Sequence, residues 1–231
     1  MGRGIAQIAA QAGSRVKLFD VQPQAASKAK AELAAQWDKL VAKNRLDPAL
    51  AADHKARVLT EDVLSGLADC DLIVEAVVER LDIKQALFAE LEALVSPQAV
   101  LASNTSSLSV TAIAARLKHP GRFAGYHFFN PPPVMKVVEV IAGLKTDASV
   151  CSDLSGYARQ MGHTAVLAQD TPGFIVNHAG RGYGTEALRI VSEGIADFAT
   201  IDRILRDQAG FNLGPFELMD LTALDVSHPV M

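Results

Sequence analysis

A histidine and a glutamate are placed symmetrically about a run of prolines in the middle of this chain. Residues 123–129, FAGYHFF, and 136–141, KVVEVI, are β-branched or aromatic runs separated by Asn130-Pro131-Pro132-Pro133. Two such runs about a turn-forming stretch read as a hairpin. His127 and Glu139 are equidistant from Pro133, so folding back about the prolines sets one opposite the other. A carboxylate facing an imidazole fixes its tautomer and makes it a better base. The apolar run 99–103 ends in Asn104-Thr105-Ser106-Ser107. Ser106 closes a strand able to lie beside the hairpin and offers a hydroxyl to the same pocket. These residues make a base, its orienter and a hydrogen-bonding partner for substrate. Taken singly, each has a plainer reading. His127 could be a satisfied core or edge histidine. Ser106 could be a helix N-cap, a role Ser107 or Ser109 would fill equally well.

The elements that must carry these side chains alternate. A helix over 2–12 is followed by a strand at 15–20, RVKLFD, ending in an acid. A carboxylate there suits a ribose hydroxyl in a dinucleotide fold, although Asp20 reads as readily as a turn or cap residue. A long helix is expected over 24–43, a short one from Asp47-Pro48, and a short strand at 58–60. The near-continuous apolar run 71–78, DLIVEAVV, reads as a buried parallel strand. Helices at 82–95 and 109–117 flank the strand at 99–103. A helix at 147–161 and a strand at 163–168 follow the hairpin. Beyond the break Asp170-Thr171-Pro172-Gly173 only helical patterns remain, with Thr200 resembling an N-cap. The expected class is α/β: a Rossmann-type doubly wound sheet over 1–169, then an all-α domain over 170–231.

Composition bounds the function. The chain has 231 residues, 49% of them hydrophobic and 21% charged, with net charge −4. It carries no basic tract, which argues against nucleic acid as a partner. No apolar run approaches the length that spans a bilayer. The N-terminal run is too short and too broken by Gln7 for a signal peptide. Cys70 and Cys151 give neither a disulfide framework nor metal-ligand spacing, in keeping with a reducing cytoplasm. His54, His119, His163 and His228 read as surface residues.

With these residues assembled, the chain resembles the 3-hydroxyacyl-CoA dehydrogenase family. The matching stretches are GRGIAQIAA, VKLFD, LIVEAVVE, SNTSSL, FAGYHFFNPPPVMKVVEVI, DTPGFIVN and GPFELMD, spread over the whole sequence. The resemblance implies NAD as cofactor and an acyl-CoA substrate. It implies His127 as catalytic base, Glu139 as the acid holding it, and Ser106 on the reacting oxygen. Asn177 would position the thioester. Gly2 would lie at the helix receiving the pyrophosphate and Asp20 on the adenine ribose. Glu79, Lys84, Ser106 and Asn130 would line the dinucleotide site, and Lys43 would contact coenzyme A. His178 stands where the family often carries arginine and receives no role. A cytoplasmic homodimer is implied for the full-length parent. Fatty-acid (β-oxidation), butanoate and aromatic-degradation routes all use such enzymes.

The resemblance also marks a departure. Gly2 matches the third glycine of the family's G-x-G-x-x-G turn, and the first strand has no counterpart. In this fold that strand lies between those expected at 15–20 and 71–78. The expectation is therefore a fragment, or a start placed at an internal methionine. It should bind NAD poorly by itself, and either show a gap between those strands or close up non-natively. The C-terminal domain is expected to be incomplete. Two other readings stay open: a dehydrogenase of a free hydroxy acid, and a catalytically silent NAD-binding relative.

Overall fold

The structure, a computed structural model, describes residues 1–222. It forms two compact units, the first covering Met1–Asp170 and the second beginning at Thr171.

In the first unit, helix α1 (Gly2–Gln11) leads into β1 (Val16–Leu18), α2 (Ala25–Ala42), α3 (Pro48–Arg57) and β2 (Val58–Thr60). There follow β3 (Leu72–Glu75), α4 (Leu81–Leu94), β4 (Val100–Ser103), α5 (Val110–Ala114), β5 (Phe123–Phe128), β6 (Val137–Ala142), α6 (Ala148–Gln160) and β7 (Thr164–Gln169). Five strands make one sheet in the order β3-β4-β5-β6-β7, and β1-β2 make a separate two-stranded sheet. All pairings are parallel except β5 with β6. The strands flanking the expected gap thus belong to different sheets. Parallel strands connected through helices give the Rossmann-like α/β class.

The strand expected over 71–78 stops at Glu75. The cause is local: the Glu75 carboxylate turns back and accepts a hydrogen bond from the Val77 N–H at 2.6 Å. The apolar Val77 and Val78 beyond it are exposed. The strand expected to reach Asp20 likewise ends at Leu18, and Asp20 closes a turn by accepting from the Gln22 N–H.

The main core lies between α1, the five-stranded sheet and α6. Ile5, Ile8 and Ala9 of α1 pack with Tyr126, Phe128, Val138 and Val140 of the hairpin and with Leu154 and Ala158 of α6. A smaller cluster joins Ala6 and Ala10 of α1 to Leu33 and Trp37 of α2 and to Val58. Helix α1 therefore has apolar residues on two sides, which explains its Ala/Ile composition.

Gly4 lets α1 approach the proline corner. A Cβ there would lie 2.8 Å from Pro132 Cδ, in a ring that cannot rotate away. Alanine would gain about 1 kcal/mol of helix propensity but lose about 1–3 kcal/mol to overpacking. Gly4→Ala is expected to be net destabilising by about 1 kcal/mol in urea unfolding. A variant as stable as the parent would show that the corner yields.

Two histidines read as surface residues are buried. His54 is packed against Trp37. His163 has Nδ1 3.0 Å from the Met161 carbonyl and Nε2 2.9 Å from the Pro132 carbonyl. The burial of both is created only by the tertiary fold. His119 is exposed, and His228 lies outside the described residues.

The second unit contains α7 (Val176–Ser192), α8 (Phe198–Asp207) and α9 (Pro215–Thr222). Gly173 enters it with φ +75°, and a Cβ there would lie 2.9 Å from the His178 N, so the turn requires glycine. The cap of α8 is Asp197 rather than Thr200: its carboxylate accepts from the Thr200 N–H at 2.7 Å. Asp202 holds the start of α9 by accepting from the Phe216 and Glu217 N–H groups.

Candidate active site

The antiparallel register pairs Tyr126 with Val140 and His127 with Glu139. His127 Nδ1 lies 2.7 Å from Glu139 Oε2, with the carboxylate side chain fully buried and the imidazole 7% exposed. In this tautomer Nδ1–H donates to the carboxylate, which leaves proton chemistry to Nε2. The Phe129 ring lies 4.6 Å from the imidazole, centroid to centroid, and helps fix its plane. Asn104 Oδ1 accepts from the Phe128 N–H at 2.9 Å, tying the strand that carries His127 to the segment that carries Ser106.

Ser106 is half-buried in the connection between β4 and α5. Carboxylates hold this connection at both ends. At the first, Glu79 Oε1 accepts from Thr105 Oγ1 at 2.5 Å, from the Ser106 N–H at 2.9 Å and from the Ser107 N–H at 3.1 Å. Burial pushes the Glu79 carboxyl up. The Thr105 hydroxyl, the Lys84 charge and the Ser106 N–H outweigh that and hold it below the usual carboxylate range. At the second end, Asp170 accepts from Ser109 Oγ, the Val110 N–H and the Thr111 N–H at 2.7–2.9 Å. Ser109 is also the side-chain N-cap of α5, so it, not Ser106, fills the capping role.

Asp170 gives a prediction with a definite sign. Burial raises its carboxyl, but the bonds from Thr111, Ser109 and Val110 bring it below the ordinary value. A depressed carboxyl stabilises the fold above its unfolded pKa, and the contribution is lost as pH falls through the folded value. Asp170→Ala is expected to cost about 1–2 kcal/mol at neutral pH, as other lost caps do. The difference from the parent should shrink below about pH 4, where free aspartate protonates. Urea midpoints at pH 7 and pH 3 test it; an equal difference at both would refute the charge-based account.

The remaining expected residues divide by place. Gly2 opens α1, and a Cβ on it would come 3.8 Å from Ala76 Cβ, just past β3. Asp20 is exposed after β1, and Asn130 is exposed at the proline corner. These positions leave carboxylate, amide and helix N-terminus available to a dinucleotide, so the residues fit NAD. Lys84 is different: its side chain is 1% exposed and its amine contacts Glu75 at 2.7 Å and Glu79 at 3.1 Å. Lys43 is exposed at the C-terminal end of α2. Asn177 is the second residue of α7, in the second unit.

Glu75 and Ser103 went unread in the sequence. They are register partners on β3 and β4, and Ser103 Oγ donates to Glu75 Oε2 at 2.7 Å. The available signal was an acid inside the apolar run LIVEAVV with a lysine nine residues on. A buried carboxylate demands a partner.

Comparison with known proteins then adds the family. The model of the 3-hydroxyacyl-CoA dehydrogenase NAD binding domain matches residues 1–171, and that of the family's C-terminal domain matches residues 173–231. The chain belongs to the 3-hydroxyacyl-CoA dehydrogenase family. It is 44% identical over 230 residues to 3-hydroxyadipyl-CoA dehydrogenase of Escherichia coli (strain K12), covering 100% of this chain and 48% of that protein. The crystal structure of 3-hydroxybutyryl-CoA dehydrogenase from Escherichia coli K12 superposes with TM-score 0.97 at 44% identity, covering 100% of this chain and 49% of that one. The structure of (S)-3-hydroxybutyryl-CoA dehydrogenase from Ralstonia eutropha superposes with TM-score 0.96 at 34% identity, covering 100% and 81%. The chain thus spans about half the length of its Escherichia coli relatives. Among the described residues, no helix is long and apolar enough to cross a membrane.

Proposed function

We propose that this chain carries the hydride-transfer centre of an NAD-dependent L-3-hydroxyacyl-CoA dehydrogenase, oxidising the 3-hydroxyl to a 3-oxo group or running the reverse. The observation that carries this reading is the 2.7 Å contact between His127 Nδ1 and the buried Glu139 carboxylate. Oxidising a secondary alcohol requires its proton to leave as hydride departs from the carbon. His127 Nε2 takes that proton, and Glu139 stabilises the imidazolium formed, as the acid of a Ser-His-Asp triad does. NAD, when bound, accepts the hydride. Ser106 donates a hydrogen bond to the reacting oxygen, and Asn177 and Lys43 hold the thioester and coenzyme A portions. Gly2, Asp20, Glu79 and Asn130 hold the dinucleotide. The Asp20 carboxylate favours NAD, because it would repel a 2′-phosphate.

Relatives named for 3-hydroxybutyryl and 3-hydroxyadipyl thioesters support a short acyl group. We assign the whole protein to the cytoplasm as a homodimer. Exposed apolar side chains in the second unit, among them Ile195, Phe198 and Phe211, support the assembly. The deciding experiment is NADH oxidation with acetoacetyl-CoA, beside free acetoacetate, in the whole protein. Turnover of the thioester alone is expected. Turnover of the free acid would favour a hydroxy-acid dehydrogenase, and turnover of neither would favour a silent relative.

A further inference from the structure

Glu75 and Lys84 form an ion pair with both side chains 1% exposed. An apolar pair of similar volume would commonly serve a core as well or better, because both charges lose their hydration. Two charges kept here at that cost call for a task that apolar groups cannot perform.

The contacts identify it. Glu75 is fixed from three sides: Ser103 Oγ at 2.7 Å, its neighbour's Val77 N–H at 2.6 Å, and Lys84 Nζ at 2.7 Å. Lys84 Nζ, so anchored, reaches Glu79 Oε2 at 3.1 Å. The other oxygen of Glu79 gathers the Ser106 and Ser107 N–H groups and the Thr105 and Ser107 hydroxyls. Glu79 is 34% exposed and lies in the connection before α4, where a lone carboxylate would sample several rotamers. The ammonium restricts it to one.

We infer that Glu75 and Lys84 are positioning residues that act through Glu79 to set the backbone of the loop carrying Ser106. The buried amine of Lys84 serves the loop by orienting a carboxylate. Its catalytic consequence rests on the dehydrogenase reading; the clamp itself does not.

Amide hydrogen exchange by NMR tests the clamp without cofactor. The double variant Glu75→Gln/Lys84→Met removes both charges and keeps the shapes. It is expected to fold, with exchange at Ser106 and Ser107 about ten-fold faster or more, and β4 amides such as Leu101 unchanged. Glu79→Gln is expected to loosen the same two amides. Unchanged protection at Ser106 and Ser107 in either variant would overturn the inference. So would a double variant that cannot fold, because the pair would then serve the core itself. In the acetoacetyl-CoA assay the double variant should lose about ten- to hundred-fold in kcat with KM for the thioester held. Faster exchange with kcat unchanged would overturn the positioning role. Absence of all turnover in the parent would sink the dehydrogenase reading, and the exchange measurement would still decide the clamp.

Discussion

Replacing His127 by glutamine is expected to lower acetoacetyl-CoA-dependent NADH oxidation by the whole protein about 10²–10⁴-fold, the range that a positioned general base contributes, and to leave NADH binding near the parent's. Glutamine keeps a polar group of comparable reach facing Glu139 but cannot cycle a proton. The register-paired carboxylate makes this variant informative. Glu139 is fully buried and its oxygen already lies 2.7 Å from Nδ1, so an imidazolium formed at His127 would meet its counter-charge without rearrangement. Glu139→Gln should therefore also slow turnover, by less than the loss of the base itself. Steady-state kinetics with a parallel NADH titration separates these effects. Turnover within ten-fold of the parent in His127→Gln would show that another group takes the proton.

The second large effect concerns stability. Lys84→Met is expected to cost the first unit about 3–5 kcal/mol, because it strands a buried carboxylate rather than removing a neutral contact. For a unit of this size that corresponds to a fall in Tm of about 6–20 °C. Ser103 and the Val77 N–H would still bond to Glu75 but could not supply a counter-charge. Urea unfolding and calorimetry measure the loss, and a change below about 1 kcal/mol would show that Lys84 contributes little to the stability of the fold. Restoring balance with Glu75→Gln should recover most of the stability, so the single and double variants are strongly non-additive.

Much of this site could be read in the residues. The hairpin register followed from the symmetry of two β-rich runs about a proline corner, and it placed His127 against Glu139. The switch from alternating strands and helices to helices alone marked the change of character at the Asp170 break. What stayed hidden depends on partners remote in sequence. Glu75 reads as a polar interruption in an apolar run until Lys84 and Ser103 close on it. Lys84 reads as an ordinary helix lysine, because helical periodicity says nothing about what covers that face. His54 and His163 carry no mark of burial, and their surroundings come from elements 17 to 31 residues away. Thr200 drew attention as a cap although the acid three residues before it does the capping; both patterns were present, and only backbone geometry chooses between them.

The separation of β1-β2 from the larger sheet has a consequence for how the first unit comes apart. No shared backbone ladder joins these two sheets, so cohesion across the seam rests on side chains: α1 packed on the hairpin, Val16 reaching both apolar clusters, and Ser14 Oγ 2.8 Å from the Tyr157 hydroxyl. Contacts of that kind can release as a block while β4, β5 and β6 keep their hydrogen bonds. The leading sixty residues should then behave as a foldon of their own, opening sub-globally at a lower free energy than the hairpin that bears the histidine.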